Sequence, residues 1–319
     1  MNSDYTHIPV LADETVSLLT GDRCSGVFRM IDCTLGCGGH SSMVLRQNPD
    51  AELLGIDRDP QAIARAAAKL DFAADRIVLV RGDFASMMRN AVSRIGWVDG
   101  VDAVLMDLGV SSPQIDDPAR GFSFRFNGPL DMRMDTTSPL TAARVLNHYD
   151  EKDLVRIFRE YGELKEAVPL ARAVVEIREE KPFETTTQFA EVCDKVLRRN
   201  VRRGAPPTPT LCFQALRIEV NDELGQLRRA LEEAVSLLKP NGILAVISFH
   251  SLEDRIVKHF MNDMAEKCKC PPGLPVCICN WKPKLSILTK KPVTASAEEL
   301  KRNSRAACAK LRGAKKLTD

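Results

Sequence analysis

Residues 29–45, Arg-Met-Ile-Asp-Cys-Thr-Leu-Gly-Cys-Gly-Gly-His-Ser-Ser-Met-Val-Leu, decide the fold. Met30 and Ile31 close a short apolar run that reads as a strand. Gly36, Gly38 and Gly39 follow as a turn in which glycine reaches positive φ at little cost. His40, Ser41 and Ser42 then open a helix, with Ser41 or Ser42 as its expected cap. A strand, a glycine-rich turn and a helix N-terminus together aim backbone N–H groups at a nucleotide-like ligand. The stretch is no triphosphate loop, because it lacks the G-x-x-x-x-G-K-[ST] spacing. It is no clean G-x-G-x-x-G either, since Ser41 stands where the third glycine would be. A tight turn without a ligand is the competing reading.

Working outward, Asp32 at the strand end resembles the acidic start of the first motif in class I methyltransferases, whose ligand is S-adenosylmethionine. Residues 51–57 read as a second strand ending in Asp57, 25 positions beyond Asp32. A nucleotide-binding α/β unit places there the carboxylate that accepts from two ribose hydroxyls. Asp57 as a cap for the helix after Pro60 is the alternative, with Asp59 competing for that post. A third strand over 77–80 leads into Asp83 and Phe84, which suit an adenine amine and ring face, although Phe84 reads equally well as core. Residues 101–107 form a nearly continuous apolar strand ending in Asp107, at the sheet edge where open α/β folds hold ligands.

The alternation then breaks. The next convincing strand, 242–249, comes 135 residues after Asp107 and follows a helix over 221–238. The intervening segments 151–161, 164–178 and 187–199 carry apolar residues at helical spacing. Three amphipathic helices need a core of their own, so 115–212 reads as an inserted helical domain, with 1–114 and 213–319 forming one discontinuous sheet domain. A helix over 251–266 and two antiparallel edge strands, 285–289 and 307–312, complete the expectation.

Composition narrows the function classes. Hydrophobic residues make up 44% and charged residues 28%, as in ordinary globular chains. The formal net charge of +2 excludes a uniformly basic coat, so any nucleic-acid contact must come from local clusters. Aromatic residues are only 5%, too few to stack many bases. No apolar run reaches the ~20 residues of a membrane span, so no membrane partner is expected. The first residues lack the basic and apolar regions of a signal peptide, and ten cysteines without such a signal point to the reducing cytoplasm. A homodimer is compatible with the sequence, which demands none.

The longer motifs are more specific. They include Gly36-Cys-Gly-Gly-His-Ser41, Gly55-Ile-Asp-Arg-Asp-Pro-Gln-Ala62, Asp107-Leu-Gly-Val-Ser-Ser-Pro-Gln114 and Arg120-Gly-Phe-Ser-Phe124. They continue with Gly128-Pro-Leu-Asp-Met-Arg-Met-Asp135, Phe213-Gln-Ala-Leu-Arg-Ile218 and Ser248-Phe-His-Ser-Leu-Glu-Asp-Arg255. With these runs, almost end to end, the chain resembles the bacterial ribosomal RNA small subunit methyltransferase H family, which methylates the exocyclic N4 of one cytidine in 16S rRNA. The resemblance implies an α/β fold of the class I S-adenosylmethionine-dependent methyltransferase type, Rossmann-like, with a mostly parallel seven-stranded sheet and an inserted all-helical domain. It implies cofactor contacts at Gly38, Gly39, His40, Asp57, Phe84, Asp107 and Gln114, and 16S rRNA within the small ribosomal subunit as partner.

Methyl transfer from a sulfonium is an in-line displacement in which positioning does most of the catalysis. A cytosine amine has its lone pair delocalised into the ring, so an acceptor that grips one N–H favours the nucleophilic geometry. Asp107 is the candidate acceptor and Ser111 or Ser112 its orienter; Asp107 as a cofactor contact alone is the alternative. His250 and Asp254 are lesser candidates, His250 also reading as a cap. No Pro-Cys dipeptide occurs, which argues against C5-pyrimidine chemistry, and the Asn/Asp/Ser-Pro-Pro-Tyr signature of amino-methylating DNA enzymes is absent. A non-catalytic RNA-binding assembly factor that retains a cofactor pocket is the reading from another class.

RNA contacts are expected from Arg120, Arg125 and Arg133, from Lys195, Arg198, Arg199, Arg202 and Arg203, and from a C-terminal run between Lys301 and Lys316. A charge run is also what any solvated face looks like. Finally, Cys268-Lys-Cys270 and Cys277-Ile-Cys279 frame a Pro-rich loop. Four thiolates suit a structural zinc, and free thiols are the other reading.

Overall fold

The computed structural model describes residues 9–21, 25–197, 208–270 and 278–318. They divide into two compact units, Met1–Gly109 with Leu224–Asp319, and Val110–Glu223.

The first unit is built on seven strands: β1 Phe28–Asp32, β2 Ala51–Asp57, β3 Ile77–Arg81, β4 Val101–Asp107, β5 Leu238–Ser248, β6 Leu285–Ile287 and β7 Lys310–Lys316. Their order is β3-β2-β1-β4-β5-β7-β6. The ladders from β3 to β5 are parallel, and β7 runs antiparallel to both β5 and β6. The chain winds outward from β1 to β3 and then returns to place β4 on the other side of β1. That reversal opens a crevice at the carboxyl ends of β1 and β4.

Apolar alternation explains the layering. Ile31, Leu54, Ile56, Val104, Met106, Leu244 and Val246 point to one face and pack with residues of the Phe84–Arg94, Glu223–Leu237 and Ser251–Ala265 helices. Met30, Leu53, Ala103, Leu105, Ala245 and Ile247 point to the other, against residues of the Ala12–Thr20 and Gly39–Gln47 helices. Both faces of β4 are covered, which is why it reads as an unbroken apolar run rather than an alternating one.

The edge strands need one correction. The last strand spans Lys310–Lys316, not 307–312, and Ser304–Cys308 is a short 3-10 helix started by Asn303, whose side chain accepts from Arg305 N. Arg312 and Lys310 pair with Asp254 at 2.6 and 3.1 Å, which ties the strand to the Ser251–Ala265 helix.

The second unit is helical, with helices at Ala142–His148, Glu151–Glu160, Ala167–Glu180, Thr186–Leu197 and Pro209–Asn221. It has its own core, in which Phe158 stacks on Phe189 at 6.1 Å, and Phe189 and Phe213 lie 5.6 Å apart. The Pro209–Asn221 helix belongs here, although the sequence reading assigns residues from 213 onward to the sheet domain. Its Cys212, Phe213 and Leu216 are buried among the phenylalanines of the helical core. Asn221 closes that unit: its Oδ1 accepts from Met134 N and its Nδ2 donates to Met132 O, both at 2.8 Å.

Candidate active site

The glycine turn is built by the strands beside it. Cys33 N donates to Leu105 O and Leu35 N to Ile56 O, so the turn is pinned to β4 and β2 at once. Gly38 is the N-cap of the Gly39–Gln47 helix at φ 69°, a conformation that glycine takes without strain. The expectation of a serine cap fails, because the helix begins at Gly39 with Gly38 as its N-cap, three residues before Ser41. Ser41 instead donates to Asp32 Oδ2 at 2.6 Å from inside the first turn. Gly38 supplies no side-chain cap, which leaves room for an anionic or polar group at the helix start.

Asp57 is no helix cap. Asp59 takes that role, accepting from Gln61 N at 2.9 Å. Asp57 Oδ2 accepts from Gly36 N at 2.8 Å and Oδ1 from Asp59 N at 2.9 Å, so the carboxylate braces the glycine turn. Each oxygen keeps a second lone pair for a hydroxyl donor. Burial pushes Asp57 up, against the backbone donors that pull it down. Asp83 caps the helix that starts at Phe84, accepting from Ala85 N at 2.8 Å. Phe84 is half-buried against the core of that face.

Asp32, at the end of β1, is 2% exposed, and burial raises its pKa to about 6 against the pull of its Ser41 and Thr34 hydrogen bonds. Asp107, at the end of β4, is anchored through its backbone, whose N–H donates to Thr34 Oγ1 at 2.6 Å. Its Oδ1 is sealed from water and has no hydrogen-bond partner among the described residues. The side chain as a whole is 26% exposed, so Oδ1 alone faces the dry side. Desolvation, then the charges of Asp32 and Glu253, raise its pKa well above the ordinary carboxylate range.

His40 is held at its far nitrogen, Nε2 lying 2.9 Å from Val10 O. A carbonyl only accepts, so Nε2 carries the hydrogen and Nδ1 is the acceptor of the neutral ring. Nδ1 faces Asp107 Oδ2 at 3.6 Å.

Sequence reasoning missed Glu253. This side chain, 2% exposed, accepts from Phe249 N at 2.9 Å and lies 3.2 Å from His250 Nε2. The signal was available: like Asp32, Asp57 and Asp107, it is an acid just beyond an apolar strand. His250 is the N-cap of the Ser251–Ala265 helix, the blander of its two readings. Asp254 is withdrawn as an amine acceptor. Although burial works to raise its pKa, the hydrogen bonds from Arg312 and Lys310 hold it lowered.

Ser111 and Gln114 belong to the helical unit, where they form the capping box of the Ser112–Asp116 helix, with Gln114 Oε1 accepting from Ser111 N at 2.9 Å. The expected arginines behave differently from one another. Arg120 is buried and donates to the carbonyls of Arg133 and Met134, which makes it a brace rather than a phosphate contact. Arg133 is used up as well: it grips both oxygens of Asp131 and donates to Thr136 O and Ser138 O. Arg125 is exposed, as is Lys195. Arg198, Arg199, Arg202 and Arg203 lie outside the described residues, as does Cys277. In the C-terminal run Lys301, Arg302 and Arg305 are exposed, whereas Lys316 donates to Leu238 O at 2.6 Å.

A sequence model described as the MraW methylase family matches residues 4–317. The chain belongs to the MraW methylase family. Relatives within reach of this methylase include proteins named ribosomal RNA small subunit methyltransferase H. The one from Carboxydothermus hydrogenoformans is 48% identical over 99% of this chain and 99% of its own length. That from Symbiobacterium thermophilum is 46% identical over 98% of this chain and 97% of its own. That from Heliobacterium mobile is 44% identical, covering 98% and 100%. Within the sheet unit the glycine turn follows β1, and Asp32, Asp57 and Asp107 are the last residues of β1, β2 and β4. Among the described residues, no helix is long and apolar enough to cross a membrane.

Proposed function

We propose that this chain transfers a methyl group from S-adenosylmethionine to the exocyclic N4 of one cytidine in the 16S rRNA of the small ribosomal subunit, in the cytoplasm. The observation that carries the reading is Asp107, a carboxylate at the end of β4 at the switch point of a methylase sheet, whose side chain is 26% exposed although its Oδ1 is sealed. The exposed part of the group is open to a donor, which a desolvated carboxylate needs.

S-adenosylmethionine, when bound, supplies an electrophilic methyl group next to a positive charge. Asp57 accepts from the ribose hydroxyls, with Gly36 N fixing its rotamer. The uncapped N–H groups of the Gly39–Gln47 helix face the donor's polar end, and Phe84 borders its adenine. Asp32 and Asp107 supply negative charge on the side where a cation is to be held. Asp107 then takes one N–H of the target amine, and His40 Nδ1, on the other side of that carboxyl, shares the proton it acquires. Gln114 is assigned to the donor and Ser111 to orienting the target amine, while exposed Arg125 and the 198–203 arginines meet phosphates. The target base has to leave its stack to reach such a crevice. Cys268, Cys270 and Cys279, with Cys277 outside the described residues, would hold a structural zinc apart from this chemistry.

The test is transfer from labelled S-adenosylmethionine to unmodified small subunits, naked 16S rRNA and duplex DNA, followed by identification of the labelled nucleoside by mass. N4-methylcytidine at one rRNA position is the expected product. Cofactor binding without transfer to any of the three would replace the enzyme reading with the assembly-factor one.

A further inference from the structure

The stretch between the Ser251–Ala265 helix and β6 takes no part in methyl transfer. None of its described residues from 266 to 284 is buried, so packing does not fix its shape. Sulfur does. The Sγ atoms of Cys268, Cys270 and Cys279 lie within 4.8 Å of one another, and those of Cys268 and Cys279 are 3.8 Å apart. A tetrahedral zinc with Zn–S of about 2.3 Å sets its sulfurs about 3.8 Å apart, whereas a disulfide needs about 2 Å.

Each of the three sulfurs also accepts a backbone N–H. Lys269 N donates to Cys279 at 3.3 Å, Cys270 N to Cys268 at 3.4 Å and Ile278 N to Cys270 at 3.3 Å. Such donors favour the thiolate over the thiol, and they are the outer contacts that orient a metal-bound sulfur.

The same stretch is basic. From Lys267 to Lys291 the sequence has six lysines and no Asp or Glu, in a chain whose net charge is only +2. All six are exposed. Lys269 is answered by Glu266 at 2.7 Å. The Trp281 indole N–H donates to Glu266 O at 2.9 Å, and the Lys269 and Lys284 ammoniums lie over its ring. Beyond Glu266 no acid interrupts the lysines as far as Lys291, whereas ordinary solvated faces mix both signs.

We propose that residues 266–270 and 278–291 form a metal-closed knuckle, in which zinc on Cys268, Cys270, Cys279 and one further ligand holds the lysines as a second contact for the rRNA sugar–phosphate backbone. The proposal rests on the reading that the thiols bind zinc and that the substrate is RNA. Cross-linking by metal replaces the missing apolar core, and the fixed lysines meet phosphates with less ordering cost than a loose loop would. The contact carries no base specificity; it adds register and affinity.

The experiment uses the full chain as purified. Metal content and thiol titration with and without chelator are measured. Binding to unmethylated small ribosomal subunits is followed across a salt series, with S-adenosylmethionine affinity as the control. The variants are the triple change Lys282→Ala, Lys290→Ala, Lys291→Ala and the pair Cys268→Ser, Cys279→Ser. Expected are one zinc per chain and, for the lysine variant, binding about tenfold weaker at about 0.1 M salt with a log–log slope smaller by roughly two. Zinc content and S-adenosylmethionine affinity stay at the parent's values in that variant. The cysteine pair should lose the metal and weaken subunit binding to a similar degree. A metal-free chain whose thiols titrate at once overturns the zinc reading and the knuckle with it. Zinc present with parental affinity and slope in the lysine variant overturns the RNA contact alone. A parent that does not bind subunits removes the RNA-substrate reading and, with it, this contact.

Discussion

Replacing Asp32 by Asn should alter the pH dependence of stability in a calculable way. The Asp32 carboxyl is 2% exposed and titrates at about 6 in the fold, against 3.8 when exposed. The folded state therefore binds this proton more tightly than the unfolded state does. For an acid shifted upward, stability is greatest at low pH and falls as the pH rises through the window from 3.8 to about 6. The full cost is roughly 3 kcal/mol at about 1.36 kcal/mol per pH unit. Between about pH 5 and about pH 7.5 the linkage integral gives a loss of about 1.4 kcal/mol for this one group. The Asn variant has no proton to lose, and without the Asp32 charge Asp107 is raised less, which widens the difference between the two proteins rather than closing it. Urea unfolding of the cofactor-free protein at the two pH values should show the parent losing at least about 1.4 kcal/mol more than Asp32→Asn. Equal losses in the two proteins would refute the argument, because they would mean that Asp32 is already ionised at the lower pH. Saturating S-adenosylmethionine should shrink the parent's loss, since a bound cation favours the carboxylate.

Three further outcomes are expected. Asp107→Asn keeps the shape of the side chain and removes its charge; single-turnover methyl transfer should fall by about 100-fold or more, while S-adenosylmethionine affinity falls less than about tenfold. The opposite split, measured by rapid quench and calorimetry, would make Asp107 a cofactor contact alone. Asp254→Ala leaves Arg312, 9% exposed at its side chain, without its carboxylate partner; denaturant unfolding should show a loss of about 3 kcal/mol, and hydrogen exchange should report faster opening of β7. The contribution of Asp254 is present above the unfolded carboxylate pKa and is lost as pH falls through its lowered value, so the variant and the parent should converge in acid. Asn221→Ala strands Met134 N and Met132 O in a buried site; about 3 kcal/mol of stability should be lost, read by denaturant melting, with the helical unit the first to lose exchange protection.

Much of the sheet unit is legible in the sequence because each of its signals is local. An apolar run ending in an acid marks β1, β2 and β4, and the run needs no partner to be recognised. The 135-residue gap before the next strong strand marks the insertion for the same reason. What is not legible depends on distant partners. Arg120 and Arg133 look in sequence like surface charge beside a family-specific loop, yet their guanidiniums are consumed by backbone carbonyls and by Asp131. Asp59 rather than Asp57 caps its helix, because Gly36 N has already claimed Asp57. Pro209–Asn221 reads as a plain amphipathic helix, and only the phenylalanines it meets assign it to the helical unit. The last strand is misplaced because Lys310 and Lys316 look like solvent residues, while one pairs with Asp254 and the other donates to Leu238 O.

Three carboxyl groups, Asp32 and Asp107 at the ends of parallel strands and Glu253 in the first turn of the helix after β5, are each set where water is scarce. Like charges in such a place ionise together at a cost, and Asp32 and Asp107 accordingly keep their protons to higher pH than exposed carboxyls do. This is a poor way to build stability and a good way to build a cation site. A ligand bearing a sulfonium and an ammonium supplies the missing positive charge, and its arrival should release protons. Once the methyl group has left, the sulfonium becomes a neutral thioether and that attraction disappears. The same buried charges that favour the donor therefore weaken the hold on the spent product. The affinity ratio of S-adenosylmethionine to S-adenosylhomocysteine should accordingly narrow as pH falls through about 6 and Asp32 takes up its proton. Calorimetry with both ligands across that range reads the ratio directly, and a ratio independent of pH would show that Asp32 does not sense the charge on sulfur.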